Sequence, residues 1–249
     1  FYSCLYRTLL FPREFYEFDA QGKPVYYSPY NGKIQDGYMY TDNGFWDTFR
    51  AVHPLFTLLY PEVSERVTQS ILNAYDESGF MPEWASPGHR ECMIGNNSIS
   101  LLTDAWMKGI RTICPEKALE AMIHQTEARH PGISSVGRDG FGYYDRLGYV
   151  PYPEVHEATA KTLEYATSTG VSHVLPTPLA GKRLPIPITE SPSTTGTFTI
   201  PTMDSCGKRC QWEMERRFLT RRNGEALSRR AVPGTGRGVF FMIPKACLD

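Results

Sequence analysis

Apolar residues recur at helical spacing through the first two thirds of the chain. In PEVSERVTQSILNAYDESG, Val63, Val67, Ile71 and Tyr75 form one stripe, with Pro61 placed to open a helix and Gly79 to close it. In NNSISLLTDAWMKGIR, Ile99, Leu102, Ala105, Trp106 and Ile110 repeat the pattern. PEKALEAMIHQTEARHPG carries Leu119, Met122 and Ile123, with Pro115 near the first turn and Pro131-Gly132 as a stop. EVHEATAKTLEYA predicts a fourth helix, with Val155, Ala158, Thr162 and Tyr165 on one side. FWDTFRAVHPLFTLLY predicts a fifth, which Pro54 should kink or start. Residues 24–40 carry N-G and D-G turn signals and read as irregular or strand-like. The fold class is therefore mainly α, with helices of modest length joined by aromatic and acidic loops.

Composition changes the picture at one place. Residues 1–166 hold 14 Lys+Arg against 21 Asp+Glu, whereas residues 167–249 hold 12 against 6. All 15 tyrosines lie before the break, and 17 Ser+Thr with 8 Pro lie after it. The break falls inside the fourth helical pattern. A basic, Pro- and Ser-rich stretch of this kind is expected to be disordered. A change of reading frame gives the same composition and ends helical periodicity with no cap or turn.

Charge and length exclude several functions. The chain has 249 residues, with 26 Lys+Arg and 27 Asp+Glu, which argues against nucleic acid or an anionic membrane as partner. No apolar run reaches the roughly 18–20 residues of a membrane span. The opening FYSCLYRTLLFPREFYE carries Arg7 within its apolar stretch and has no small-residue cleavage site, so it does not read as a signal peptide. A first residue Phe1 rather than Met reads as a fragment or a processed product. The cysteines at 4, 92, 114, 206, 210 and 247 make no C-x-x-C pair and read as free thiols.

Three stretches concentrate polar and aromatic side chains. YMYTDNGFWDTFRAVHPL gathers Asp42, Asn43, Trp46, Asp47, Arg50 and His53. Carboxylates and a guanidinium bond sugar hydroxyls, and an indole face stacks on the C–H face of a sugar ring. The same residues fit a plain helix start, with Asp42 or Asn43 as cap and Asp47–Arg50 as an i,i+3 pair. MPEWASPGHRECMIGNNSIS holds Trp84, His89, Arg90, Glu91, Asn96 and Asn97, where Gly95 makes a turn and Asn96 or Asn97 caps a helix. YVPYPEVHEATAKTLEYA offers Glu157 as a carboxylate ligand or hydroxyl acceptor, and lacks the second histidine of H-E-x-x-H. GRDGFGYYDRLGY has glycines without the Lys-Ser/Thr of a phosphate loop.

Taken in order, FYSCLYRTLLFPREFYE, DGYMYTDNGFWDTFRAVHPLFTLLYPE, GNNSISLLTDAWMKGI and GYVPYPEVHEATAKTLEYA resemble glycoside hydrolase family 92. The resemblance covers nearly all of residues 1–166 and implies exo-acting, calcium-dependent α-mannosidases. It implies an (α/α) helical toroid of six hairpins, preceded by a β-sandwich. Residues 1–166 would be an incomplete part of that toroid and residues 167–249 a low-order basic tail. The implied chemistry is inversion, with an acid and a base about 6.5–9.5 Å apart. By the same resemblance Trp46, Asp47 and Arg50 line the sugar subsite, and Asn96 of the G-N-N block and Glu157 lie near it. Asp42, from the polar-aromatic cluster, and Trp84, a second stacking platform in a carbohydrate-binding reading, complete the candidate substrate-binding residues. The family pattern commonly has Asp-His or Asn-His where this chain has Asn96-Asn97.

The resemblance also shows what to look for and not find. The implied general acid sits in an E-G-x-x-W block, and the base and calcium ligands in an Asp-rich block near G-Q-M-S-A-W. Neither occurs in the sequence. Yet Leu227–Ile243 can be encoded by codons whose shifted frame reads FTEGSAWHWTWGVFHD, which contains E-G-S-A-W. The expectation is an α-mannosidase by descent, acting on N-glycans or mannans and secreted or periplasmic. As written, the chain would lack catalytic residues and bind no calcium. Two alternatives stand beside it: a non-catalytic carbohydrate-binding or interaction protein, and an amidase-like activity on glycoprotein N-glycans.

Overall fold

The computed structural model describes residues 1–172. The basic stretch from 173 onward, including Leu227–Ile243, lies outside the described residues.

Helix α1 (Tyr2–Thr8) leads into short strands β1 (Arg13–Glu14), β2 (Glu17–Phe18), β3 (Pro24–Tyr27), β4 (Ile34–Asp36), β5 (Tyr40–Thr41) and β6 (Asn43–Gly44). Then come α2 (Phe45–Thr48), α3 (Val52–Leu59), α4 (Pro61–Ser78), β7 (Trp84–Ala85), α5 (Asn97–Met107), α6 (Pro115–Glu127), α7 (Phe141–Leu147) and α8 (Ala158–Ser172). The strands pair antiparallel as β1–β5, β2–β3–β4 and β6–β7. The three-stranded sheet is the strand-like region expected over 24–40, extended by β2. It is tied to α4 by Tyr26 and Ser28, whose hydroxyls both donate to Glu77. Asn73 Nδ2 donates to the Tyr38 carbonyl at 3.1 Å and Ser70 Oγ accepts the Tyr40 N–H at 2.9 Å, adding two further links.

The predicted stripes form the main core. Val67, Ile71 and Leu72 of α4, Ile99, Leu101 and Leu102 of α5, and Ala118, Ala121 and Met122 of α6 are buried together with Tyr40, Phe45, Met81 and Ile113. A smaller cluster joins Tyr144 of α7 to Val150, Val155, and Ala158 and Tyr165 of α8. Pro61 opens α4 and Gly79 ends it in the left-handed conformation, both as the sequence indicates.

Three elements differ from expectation. The fifth helical pattern splits into α2 and α3 around Phe49–Ala51. Pro54 sits in the first turn of α3, where its missing N–H has no intrahelical partner to lose. The fourth pattern starts later than EVHE, because Glu157 adopts a positive φ of 56° and the helix begins at Ala158. Helix α8 then runs across the compositional break at Ala166 to Ser172. Helix α7, in the glycine-rich GRDGFGYYDRLGY, was not anticipated; Gly140 and Gly148 bound it, both left-handed.

Helix α5 is held at its N-terminus by a carboxyl that the sequence does not advertise. Glu83 is fully buried, and its Oε2 accepts the backbone N–H groups of Asn97 at 2.8 Å and Ser98 at 3.3 Å. Its Oε1 accepts Ser98 Oγ at 2.9 Å and Gln125 Nε2 of α6 at 3.1 Å. Gln125 Nε2 also donates to the Met81 carbonyl, and Gln125 Oε1 accepts the Met81 N–H. Burial pushes the Glu83 carboxyl up to about 8, against the pull of its donors.

Glu83→Ala strands these donors in a dry interior. Urea denaturation should show a loss of about 3 kcal/mol or more. Glu83→Gln, which keeps one carbonyl acceptor, should lose less.

Candidate functional site

The first polar cluster is built on the β6–α2 corner. Strand β6 pairs with β7 in the register Asn43↔Ala85 and Gly44↔Trp84. The Trp84 ring packs against Gly44 so closely that a Cβ there would lie 2.6 Å from its Cε3. Gly44 is thus glycine for lack of space, with an ordinary extended φ of -98°. The chain enters α2 directly from this corner, which sets where Trp46 emerges.

Trp46 is half-buried, and its Nε1 donates to Glu164 Oε1 of α8 at 2.9 Å. The Arg50 guanidinium carbon lies 4.7 Å from the Trp46 ring centroid and 4.7 Å from that of Phe49. Asp47 and Arg50 are both exposed, and no ion pair joins them among the described residues. The i,i+3 pair of the plain helix-start reading is replaced by an arginine stacked on aromatic rings. Neither Asp42 nor Asn43 caps α2, whose N-cap is Gly44.

Asp42 has a positive φ of 56°, an uncommon conformation for a residue other than glycine. It is held by Arg13 at 3.4 Å and accepts Ser86 Oγ at 3.2 Å. The Asn43 side-chain amide meets His53 Nε2 at 2.9 Å. Burial pulls the His53 pKa down to about 3. His89, whose Nε2 meets Ser78 Oγ at 2.8 Å, is pulled down to about 4, chiefly by burial and then by the neighbouring His130.

The remaining expected site residues lie elsewhere. Asn96 is buried at the N-cap of α5, but its side chain does not cap. Its Nδ2 donates to the Gly137 carbonyl at 3.1 Å, and its Oδ1 accepts Arg138 Nε at 2.8 Å. The capping role expected of asparagine is filled by Glu83. Glu157 is exposed ahead of α8, 3.9 Å from His156 Nδ1, and its backbone carbonyl accepts the Lys161 N–H.

Glu164 is the residue that sequence reasoning passed over. It lies on α8 within the T-L-E-Y-A block, seven residues after Glu157, which precedes the helix. Gly95, in the left-handed conformation with φ 85°, lets it approach; a Cβ at Gly95 would lie 2.9 Å from Glu164 Cβ and 3.2 Å from its Oε2. Trp46, Gly95 and Glu164 therefore meet, with Arg50 stacked on the indole. A small apolar recess, lined by Tyr40, Phe45, Ile71 and Ala85 among others, lies apart from Trp46 and Glu164 and offers little polar chemistry.

Calcium needs several oxygen ligands. Among the described residues no group of three or more His, Cys, Asp or Glu side chains is placed to hold a metal ion. No helix among the described residues is long and apolar enough to cross a membrane.

The family model described as the glycosyl hydrolase family 92 catalytic domain matches residues 1–172. The chain belongs to glycoside hydrolase family 92. Among solved structures it is similar to a family GH92 inverting mannosidase from Bacteroides thetaiotaomicron VPI-5482, at 85% identity and TM-score 0.67. That match covers 68% of this chain and 23% of the mannosidase. It is also similar, at 32% identity and TM-score 0.60, to a family GH92 alpha-mannosidase from Bacteroides thetaiotaomicron, covering 69% of this chain and 22% of that one. The same alpha-mannosidase in complex with mannoimidazole matches at 32% identity and TM-score 0.59, with the same coverage. The chain thus spans less than a quarter of the length of these mannosidases. A comparison with curated proteins finds no match.

The two histidines predict a pH dependence. Each has a folded-state pKa below the 6.5 of the unfolded chain, so the unfolded chain binds more protons as pH falls. Their contribution is complete above about pH 6.5 and is lost as pH drops toward 4 for His89 and 3 for His53. The stability difference between the wild type and His53→Gln should therefore shift against the wild type below pH 6.5. The limiting slope is about 1.4 kcal/mol per pH unit, read by urea denaturation from pH 7 to 4.

Proposed function

We propose that this chain binds α-mannosides at the Trp46 corner and does not hydrolyse them. The observation that carries the reading is the Trp46–Glu164 hydrogen bond, with Arg50 over the indole, in a chain of glycoside hydrolase family 92 that is similar to solved mannosidases. An indole fixed at its N–H is a rigid stacking platform, and Asp47 and Arg50 are exposed beside it to meet hydroxyls. Trp84 and Asp42 shape the neighbouring corner. Glu157 is exposed just ahead of α8.

Hydrolysis needs an acid and a base, each worth roughly 10²–10⁴-fold. The E-G-x-x-W and Asp-rich blocks that the family resemblance implies are missing from the sequence. Glu83, the buried carboxyl, already receives four hydrogen bonds and faces the core. Residues 1–166 are read as part of an (α/α) toroid. The stretch beyond Ala166 is read as an out-of-frame translation, which sequencing of the gene and transcript across the codons for Tyr165–Ser168 tests directly. The substrate class is the α-mannosides of N-glycans and mannans, and the location secreted or periplasmic.

Titration of the full chain with methyl α-mannoside should show saturable binding that Trp46→Ala weakens at least tenfold, about 1.4 kcal/mol. Removal of calcium with a chelator should leave that affinity unchanged. An aryl α-mannoside should release no product above the uncatalysed background. Binding that survives Trp46→Ala would remove the platform, and turnover would show that an acid and a base are present after all.

A further inference from the structure

His89, in the second polar stretch of the sequence, has no part in the Trp46 corner and stands in a cluster of rings. Its imidazole lies 5.4 Å from that of His130 and 4.8 Å from the Tyr30 ring, centroid to centroid. The Phe80 ring lies 5.2 Å from His130 and 4.8 Å from His124.

The two imidazoles sit on different pieces of backbone. His89 ends a turn bridged to Ala85 of β7. His130 opens a loop, 129–137, which the Arg129–Gly137 bridge closes on itself. Within it the His130 N–H donates to the Val136 carbonyl at 3.0 Å, and the Arg138 N–H returns to the Ala128 carbonyl at 2.7 Å. The loop also meets residues 90–92 through polar groups. The Cys92 N–H donates to Ser135 Oγ at 3.1 Å, Ser135 Oγ to the Arg90 carbonyl at 3.3 Å and Ser134 Oγ to Glu91 Oε1 at 2.7 Å. The last two bonds are exposed, so water competes for the same groups.

A protonated imidazole donates from both nitrogens. Neither histidine is built for that. His89 Nε2 meets Ser78 Oγ at 2.8 Å, but its Nδ1 is buried with no partner. A proton there would be a buried N–H without an acceptor. His130 Nδ1 accepts the Gly132 N–H at 3.1 Å, a bond that a proton on Nδ1 would break. Two imidazolium rings side by side would also repel.

No carboxylate compensates. Glu91 receives Ser134, Glu77 receives Tyr26 and Ser28, and Asp139 is engaged by Arg129 and Lys161. Neither imidazole is in an ion pair among the described residues. The nearest charges along the chain include two exposed cations, Arg90 and Arg129. His124, against the same Phe80, has a buried Nδ1 without a partner as well. Burial pulls both His89 and His130 below the ordinary 6.5, and the charge of His130 adds to the fall at His89, which reaches about 4.

We propose that His89 and His130 form a proton-sensitive latch, which keeps loop 129–137 closed on residues 89–92 at neutral pH and lets it open in acid. In the open loop both rings meet water and take up protons near pH 6.5, so the open form binds more protons and gains as pH falls. The end of the loop carries the Gly137 carbonyl that receives Asn96 Nδ2 just before α5, so opening reaches that helix. The latch stands whether or not the corner takes a mannoside.

Amide hydrogen exchange of the full chain, corrected for the intrinsic rate at each pH, reads the loop through the N–H groups of Cys92, His130 and Arg138. Their protection should fall at least tenfold between about pH 6 and about pH 4.5. The interior amides of α4 and α5 should stay better protected throughout, which marks the opening as local. His89→Gln keeps a nitrogen for Ser78 and should reduce the fall to about threefold or less. His130→Asn keeps an acceptor for Gly132 and should give a fall between that and the wild type. Wild-type protection that holds to pH 4.5, or a loop that exchanges only in step with α4 and α5, would overturn the latch. So would an undiminished fall in either variant. Each variant decides alone if the other does not fold, and the wild-type profile decides without them.

Discussion

A single buried carboxyl organises the described residues. Glu83 lies between β6–β7 and the three helices of the main core, and its two oxygens receive the start of α5 and the side chain of α6. A helix N-terminus needs acceptors for its first N–H groups. Here they come from a residue 14 positions upstream, outside the helix, whose carboxyl also holds Gln125 of α6, so α5 is fixed in tertiary contact. The residue next to Glu83 is Trp84, and the β6–β7 pair that it forms delivers Trp46 at the start of α2.

The second constraint acts on α8. It is a helix with a weak apolar stripe, and polar contacts decide its rotation. Arg138, Asn96 and the Thr162 hydroxyl, which accepts the Val150 N–H at 2.9 Å, hold one side of it. Lys161, buried beside Asp139, holds another. The candidate site is thus a meeting of two rigid supports, a glycine-tight corner under α2 and a polar clasp on α8. Both are needed because Trp46 and Glu164 are 118 positions apart in sequence.

Much of the helical core was legible. The stripes Val63–Tyr75, Ile99–Ala105 and Leu119–Met122 are amphipathic at the right period, and periodicity records which side of a helix is dry. The split of α2 from α3, and the late start of α8, were not legible, because both turn on backbone conformation at single residues. Trp46 and Arg50 were readable as a polar-aromatic cluster, and the structure brings them together. Asn96 was misplaced because asparagine before a helix is so often its cap, whereas here a buried glutamate takes that place and frees the amide for Arg138. Glu83, Arg138 and Glu164 carry no local signature. Their importance comes from partners distant in sequence, and a window of neighbouring residues holds no trace of them.

The contact between Gly44 and the Trp84 ring has an evolutionary consequence. A side chain at position 44 would strike the indole, and a smaller ring at position 84 would leave a void beside the backbone. The two positions can drift only as a pair, through an intermediate that is either overfilled or hollow. The corner that aims Trp46 is therefore insulated from gradual change. Residues around it, such as Asp47 and Arg50 on the open side, are the ones free to vary and so to tune what the indole meets.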